Sequence, residues 1–461
     1  MGTLSRRADI GVGVKSRDMF TTRLGVIFAT LGSAVGLGNI WKFPFLTGQN
    51  GGAAFVVVYI LSTLVVGLPV MIAEQTIGRA ARADAVGTLK KLAPNSAWWL
   101  VNLLGILSAF FIMAFYTEVA GWVFAYIFKA AGGSILSSDP AVTSAAFTSL
   151  VTSPVQSLIW QWVALALVGA IIMLGVSKGI ERVTKTLMPV LFGILVIVCI
   201  RSVTLPGASE GLTFLVKPDF SKLTWSTVLT AMGLSFFKLS VGMGTMTTYG
   251  SYFQEDQNIP ATATRVMLSD LLVSMLCGVA IFPAVFAFGF EPAAGPQLLF
   301  VTIPAVFSAM PLGRFLMPLF FVLAGIAATG AMLSLYEVPV AFLVGSCGWD
   351  RKKATLVTLI ALALVGSTAA LSSSTLADFK LFGMTMFDLF DYVTSALFLP
   401  IGGLFLCLFV GWRWGSAEIK KALSNGGKLD NQLVVTAFTG VVKVVTPALV
   451  LIVLLTGLGI I

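Results

Sequence analysis

The 461-residue chain is 57% hydrophobic and 11% charged, with a mean hydropathy of +0.97 and a formal net charge of +9. A bilayer core about 30 Å thick takes roughly 20 apolar residues per helical crossing. Such stretches run almost end to end, which excludes a soluble domain and indicates one all-α integral membrane domain. The absence of histidine removes most zinc chemistry and the usual proton shuttle of neutral pH. Isolated serines make no catalytic constellation, so an enzyme is not expected. Cys199, Cys277, Cys347 and Cys407 are scattered singly and indicate neither a disulfide framework nor a metal site.

In chain order, Arg6, Arg7, Lys15 and Arg17 come first. No cleavage site of small residues follows the first apolar run, so the first span is expected to stay in the mature protein. Eleven spans are predicted, at 23-50, 53-80, 98-130, 157-175, 183-204, 226-254, 262-290, 314-346, 354-371, 383-412 and 432-458. With a cytoplasmic N-terminus, the inner loops collect about 20 of the 29 Lys and Arg and the outer loops about seven, as the positive-inside rule requires. Arg79, Arg82, Lys90, Lys91, Lys178, Arg182, Lys185, Arg351, Lys352 and Lys353 are among the inner ones. An odd number of spans then places the C-terminus outside.

The expected organisation is a cytoplasmic segment 1-22, a first repeat 23-204, an extracellular loop 205-225, a second repeat 226-412, a cytoplasmic loop 413-431 and an eleventh helix 432-461. The longest polar connections, 131-156, 205-225 and 291-313, fall on the outer side and are candidate lids. The basic clusters lie between spans rather than on one amphipathic face, so membrane orientation explains them and nucleic acid does not. The expected partners are lipid and a small solute; the sequence does not specify an oligomeric state.

Two spans are interrupted, the first by Gly32-Ser33-Ala34-Val35-Gly36-Leu37-Gly38-Asn39 and the sixth by Ser240-Val241-Gly242-Met243-Gly244-Thr245. Each glycine weakens a helix by about 1 kcal/mol relative to alanine, and unwound backbone at bilayer depth must line a cavity or be covered by protein. Broken helices that open two successive groups of five are the sign of an inverted repeat with a solute site near the midplane. Close helix packing on small residues is the alternative, but the glycines keep no single four-residue spacing and polar residues sit among them. A channel would need a polar stripe along several spans, whereas polarity here is concentrated at the two breaks. The reading is a secondary transporter.

The stretches GSAVGLGNIWKFPF (32-45), NGGAAF (50-55), GVSKGIERVTKTLMP (175-189) and FFKLSVGMGTMTTYGSYFQEDQNI (236-259) resemble the neurotransmitter:sodium symporter family, especially its bacterial amino-acid members. The resemblance implies the leucine-transporter fold: five helices, five inverted helices and one extra. Spans 1, 2, 6 and 7 would rock against a scaffold containing spans 3, 4, 8 and 9.

The family's substrate positions correspond to Ser33, Ala34, Gly36, Leu37 and Gly38 in span 1, and to Ile112 and Tyr116 in span 3. Span 6 supplies Phe237, Lys238, Ser240 and Met243, and span 8 supplies Ala331 and Leu335. Free amides at the first break suit a carboxylate, and carbonyls at the second suit an ammonium group. Tyr116 would donate to the carboxylate and Phe237 would close over the substrate. Gly36 stands where monoamine carriers have aspartate, so an amino acid is implied. Ile112, Met243, Ala331 and Leu335 make the side-chain compartment apolar, with Met243 the pliable member.

For the outer gate the resemblance implies Lys42 with Asp388. For the inner gate it implies Arg17 and Tyr252, while the acidic position at the end of span 8 is Gly345. Glu74 matches a position that organises the bundle. Glu118 and Glu337 are buried acids without an assigned role.

The ion sites depart from the family pattern. Ala34 and Asn39 match the first sodium site, but its threonine is Lys238 and its span 7 asparagine is Asp270. A lysine ammonium can fill the space of a sodium ion with Asp270 as its counter-charge, so an ion pair is predicted there. The chloride-site positions are Tyr59, Leu234, Lys238, Asp270 and Ser274, and chloride dependence is not expected. The second sodium site keeps the carbonyls of Gly32, Val35 and Ala327, but its hydroxyl positions are Gly330 and Ala331, with Thr329 one place away.

The expected function is import of apolar amino acids across the cell membrane. No cofactor is expected beyond one possible sodium ion at the degenerate second site. Sodium-independent transport, proton coupling or exchange, and a transport-dead amino-acid sensor are the alternatives.

Overall fold

The computed structural model describes residues 18–290 and 298–460. Arg6, Arg7, Lys15 and Arg17, together with 291-297 of the third candidate lid, lie outside the described residues. Among the described residues, nine continuous helices are long and apolar enough to cross a bilayer: Ala53–Ala81, Trp99–Ala131, Pro154–Met173, Val176–Val203, Ile259–Ala287, Gly313–Gly345, Arg351–Ala370, Met386–Trp414 and Gln432–Gly457. Arg23–Ala34 and Gly38–Gln49 form one further span bent by 50°. Trp225–Lys238 and Thr245–Gly250 are the halves of another. Numbered in chain order, these are spans 1 to 11, and the helices at 1 and 6 are broken as expected. The fifth span begins earlier than predicted, at Val176, because Gly175 (φ +89°) turns the chain sharply into it.

Capping residues set several boundaries. Asn258 accepts a bond from the Ala261 amide, with Pro260 in the first turn of span 7, and Ser153 accepts from the Gln156 amide at the start of span 4. A short-side-chain acceptor at the N-cap followed by proline fixes a helix start. The described parts of the three long connections carry the helices Pro140–Val151, Ala208–Val216 and Thr302–Ala309. The connection between spans 10 and 11 carries Ser416–Leu423.

The break in span 6 is held from two sides. Ser240 (φ 52°), Gly242 (φ 80°) and Gly244 (φ 71°) take left-handed conformations that stop the helix. The buried Glu74 of span 2 accepts from the Gly242 amide at 2.6 Å and the Thr247 amide at 3.1 Å, supplying acceptors that the unwound turn lacks. Glu74 is therefore an organiser of the bundle. Spans 2 and 6 also cross at glycines: a Cβ on Gly78 would lie 2.0 Å from the Thr247 carbonyl oxygen.

That contact generates a test. Gly78→Ala should cost about 1–3 kcal/mol through overpacking against backbone that cannot yield. Gly193→Ala, in helix with nothing within 4 Å of the added carbon, should be neutral or slightly stabilising. Thermal unfolding of the two variants in detergent checks the contrast.

Candidate functional site: a closed cavity between two helix breaks

The two breaks face one another across a cavity lined by Ser33, Ala34, Gly36, Gly38, Ile112, Tyr116, Phe237, Lys238, Ser240, Met243, Ala331 and Leu335. Leu37 is not in the lining. Its side chain is buried in the core, and its amide donates instead to the Tyr116 hydroxyl at 2.9 Å. That hydroxyl, having accepted from Leu37, still has its own proton to donate.

Hydrogen bonds join the surrounding spans. Ser33 Oγ donates to Ser334 Oγ at 2.8 Å, and Ser240 Oγ donates to the Ser33 carbonyl at 2.9 Å. A Cβ on Gly36 would lie 3.0 Å from both the Ala331 Cβ and the Tyr116 hydroxyl, so no larger side chain fits there without displacement. The enclosed space is about 20 Å³, room for about one water. A solute larger than water therefore displaces part of this lining.

At one end, the Lys42 ammonium lies 4.4 Å above the Phe237 ring. Its carboxylate partner is Asp391, at 3.8 Å, which corrects the expected pairing with Asp388. Asp388 sits one turn nearer the start of span 10, where its carboxylate accepts from Thr385 Oγ at 2.7 Å and its amide donates to the same hydroxyl. That capping role holds Asp388 away from Lys42.

Beside the cavity is a fully buried ionic cluster. Lys238 Nζ is 3.1 Å from Asp270 Oδ2, and neither side chain is exposed. Lys238 also donates to Ser274 Oγ. Asn39 Nδ2 donates to Asp270 Oδ1 at 2.7 Å and Tyr59 to Asp270 Oδ2 at 3.3 Å. The rings of Phe43 and Tyr59 lie 5.3 and 5.1 Å from the ammonium, within cation–π range. Asn39 Oδ1 in turn accepts from the Gly36 amide at 3.2 Å, which links the cluster to the unwound backbone.

The residual oxygen set of the second ion position is sparse. The Gly36 amide is given to Asn39 instead of closing a helical turn onto the Gly32 carbonyl, and that carbonyl faces span 8 at Gly330, 2.6 Å from where a Cβ would stand. Gly330 and Ala331 have no hydroxyl, and Thr329 Oγ donates to its own helix at the Gly325 carbonyl, 2.8 Å away.

The opposite end is closed by carboxylates, of which the sequence reading named only Glu337. Tyr252 donates to Glu337 Oε1 at 2.6 Å. Arg351 grips Glu337 with both terminal nitrogens, at 2.6 and 3.1 Å, and reaches Asp18 at 3.3 Å. Glu181 accepts from the Thr21 amide at 2.7 Å and from the Thr21 and Thr22 hydroxyls at 2.9 and 2.8 Å. Gly345 meets Asp84: a Cβ there would be 2.6 Å from its carboxylate. Arg17 lies outside the described residues. An acid inside a span demands a partner, and that was the available signal for Glu337, but nothing in the spacing singled out Arg351. Glu118 takes no part in either end; its Oε2 is buried and unpartnered.

Removing Arg351 leaves Glu337 buried without its counter-ion, a loss of about 3–5 kcal/mol. Arg351→Ala should therefore open this end, and thiol labelling reads it: with Cys347 replaced by serine, a Phe20→Cys reporter should react several-fold faster in the variant. An unchanged rate would show that the Arg351 pair does not hold this end shut.

A model of the sodium:neurotransmitter symporter family matches residues 17–136 and 151–460. A protein of Bacillus subtilis named as an uncharacterized sodium-dependent transporter, YhdH, is 38% identical over 96% of this chain and 98% of its own length. One from Haemophilus influenzae is 34% identical over 96% and 99%. The crystal structure of MhsT in complex with L-phenylalanine superposes with a TM-score of 0.88 at 40% identity, covering 96% of this chain and all of MhsT.

Proposed function

The chain belongs to the sodium:neurotransmitter symporter family, and from that premise we propose that it imports apolar amino acids across the cell membrane by alternating access. Spans 1, 2, 6 and 7 move against spans 3, 4, 8 and 9, with the N-terminus cytoplasmic and the C-terminus outside. The observation that carries the reading is the pair of helix breaks facing one cavity, with the Tyr116 hydroxyl held at the Leu37 amide and no carboxylate in the lining. The amino acid's carboxylate takes the span 1 amides and the Tyr116 proton. Its ammonium takes carbonyls of the breaks, and its side chain packs on Ile112, Met243, Ala331 and Leu335. MhsT, a similar protein, was crystallised with L-phenylalanine, which supports a substrate of this class.

Lys238 and Asp270 stand in for one sodium ion and for chloride. The ammonium supplies the fixed positive charge beside the substrate carboxylate, and Asp270, Ser274, Asn39 and the two rings complete its surroundings. Relatives named as sodium-dependent transporters support sodium as the coupling ion, bound at Gly32, Val35, Ala327 and Thr329. The missing hydroxyls at Gly330 and Ala331 favour a second reading, in which proton coupling or substrate exchange replaces sodium. Labelled amino-acid uptake into proteoliposomes, measured with sodium, with potassium in its place and with an imposed pH gradient, separates the two readings. Saturable uptake is expected in at least one arm, and binding without flux in all three would overturn transport in favour of a sensor.

The ion-pair reading makes its own prediction. Lys238→Thr with Asp270→Asn should give amino-acid binding a new sodium dependence in a titration, and an unchanged titration would sink the replacement idea. Lys238→Met alone leaves Asp270 buried and unpaired, and should cost about 3–5 kcal/mol of stability, more than the double variant. Tyr116→Phe should weaken binding by about 1–3 kcal/mol, read by isothermal titration.

A further inference from the structure

Where spans 2 and 10 end, a pocket of about 440 Å³ opens, separate from the transport site and walled by Arg79, Arg82, Lys421, Glu255, Glu418 and Trp414 among others. Arg79 is only 8% exposed. Its guanidinium donates to the Glu255, Gln257 and Ala422 carbonyls and to Asn425 Oδ1. These are uncharged acceptors, and no carboxylate lies within ion-pair distance of it among the described residues. The buried Lys238 and the partly buried Arg351 each have a carboxylate at 3.1 Å or closer.

A cation this deep without a counter-ion is costly, and a guanidinium has five donors, of which the four acceptors leave at least one to spare. Arg82 reaches Glu255 only at 3.8 Å. Three basic and two acidic side chains leave one net positive charge on the walls. Arg79 lies two residues from the end of span 2, and Trp414 is the last residue of span 10, which puts the pocket at the depth of phospholipid headgroups, where tryptophan collects.

We propose that this pocket binds the headgroup of an anionic glycerophospholipid, a phosphodiester with free hydroxyls such as phosphatidylglycerol. The single negative charge matches the single excess positive one. The phosphate meets Arg79, Arg82 and Lys421, and the headgroup hydroxyls donate to Glu255 and Glu418. Zwitterionic phosphatidylethanolamine leaves the excess charge unmatched, and phosphatidylcholine also lacks donors for the two carboxylates. Bound lipid ties span 2 and the connection after span 10 to the membrane surface.

Native mass spectrometry of the delipidated full chain, titrated separately with phosphatidylglycerol, phosphatidylethanolamine and phosphatidylcholine, tests this. Phosphatidylglycerol should be retained best. Arg82→Ala with Lys421→Ala should weaken its retention roughly tenfold or more, since each basic residue near a headgroup contributes about 1 kcal/mol. Arg79 is left in place because it ties together two segments of backbone, through the Glu255 and Gln257 carbonyls and the Ala422 carbonyl. Lys90→Ala with Lys91→Ala removes the same charge outside the pocket and should leave retention unchanged. Inorganic phosphate at millimolar concentration that displaces the lipid would identify free phosphate as a second source of the same chemistry. Equal retention of the three lipids, or equal loss in both double variants, would overturn the proposal.

Discussion

Backbone amides released from a helix inside a bilayer have no water to bond, and the centre of this protein is arranged around that constraint. Glu74 accepts from the Gly242 and Thr247 amides, Asn39 from Gly36, and Tyr116 from Leu37. Each acceptor comes from outside the turn it serves, or from the other side of it, so the breaks are built by tertiary contacts and not tolerated as defects. With those amides held in place, the remaining backbone polarity of spans 1 and 6 is directed at one small cavity. In the proposed function the charged ends of the amino acid meet this backbone together with Tyr116 and Lys238, and the apolar walls take its side chain.

The buried charges follow the same logic. Lys238 with Asp270, and Arg351 with Glu337, are ion pairs whose carboxylates are fully buried and carry additional hydrogen bonds, the condition under which such pairs persist in a low-dielectric interior. They differ in reach. The first joins spans 6 and 7, both on the moving side of the proposed mechanism, so it can travel as a unit. The second joins spans 8 and 9 and catches Asp18 and Tyr252, so in the proposed mechanism it bridges the scaffold to the ends of spans 1 and 6 and releases them when this end opens. Lys42, on Phe237 and Asp391, does the corresponding work at the other end with more exposed groups.

Much of the fold was legible because bilayer thickness imposes one length on every span, and the predicted limits fall close to the observed helices except at the start of the fifth span, where Gly175 turns the chain into the helix seven residues earlier, at Val176 rather than 183. The cavity lining was legible because the motif around FFKLSVGMG and GSAVGLGN places residues on backbone that the breaks bring together. The Lys238–Asp270 pair was legible because the family resemblance puts both residues on one ion site, where a buried ammonium needs an opposite charge. The partner of Lys42 was not: Asp388 and Asp391 are three residues apart on one helix, and only the cap at Thr385 decides which of them is free to face the lysine. Arg351 and Glu181 were equally hidden, since their partners lie far away in sequence.

The sequence by itself determined that this is a bundle of eleven spans broken at Gly32–Asn39 and Ser240–Thr245, because hydropathy and glycine clustering are local properties of the chain. The tertiary structure alone decided which carboxylate closes each end, that the Leu37 amide meets Tyr116 while its side chain packs in the core, and that the cavity leaves about 20 Å³ of space. Those outcomes depend on distances between helices, and a difference of one helical turn, or of a single hydrogen bond, leaves no trace in composition or spacing.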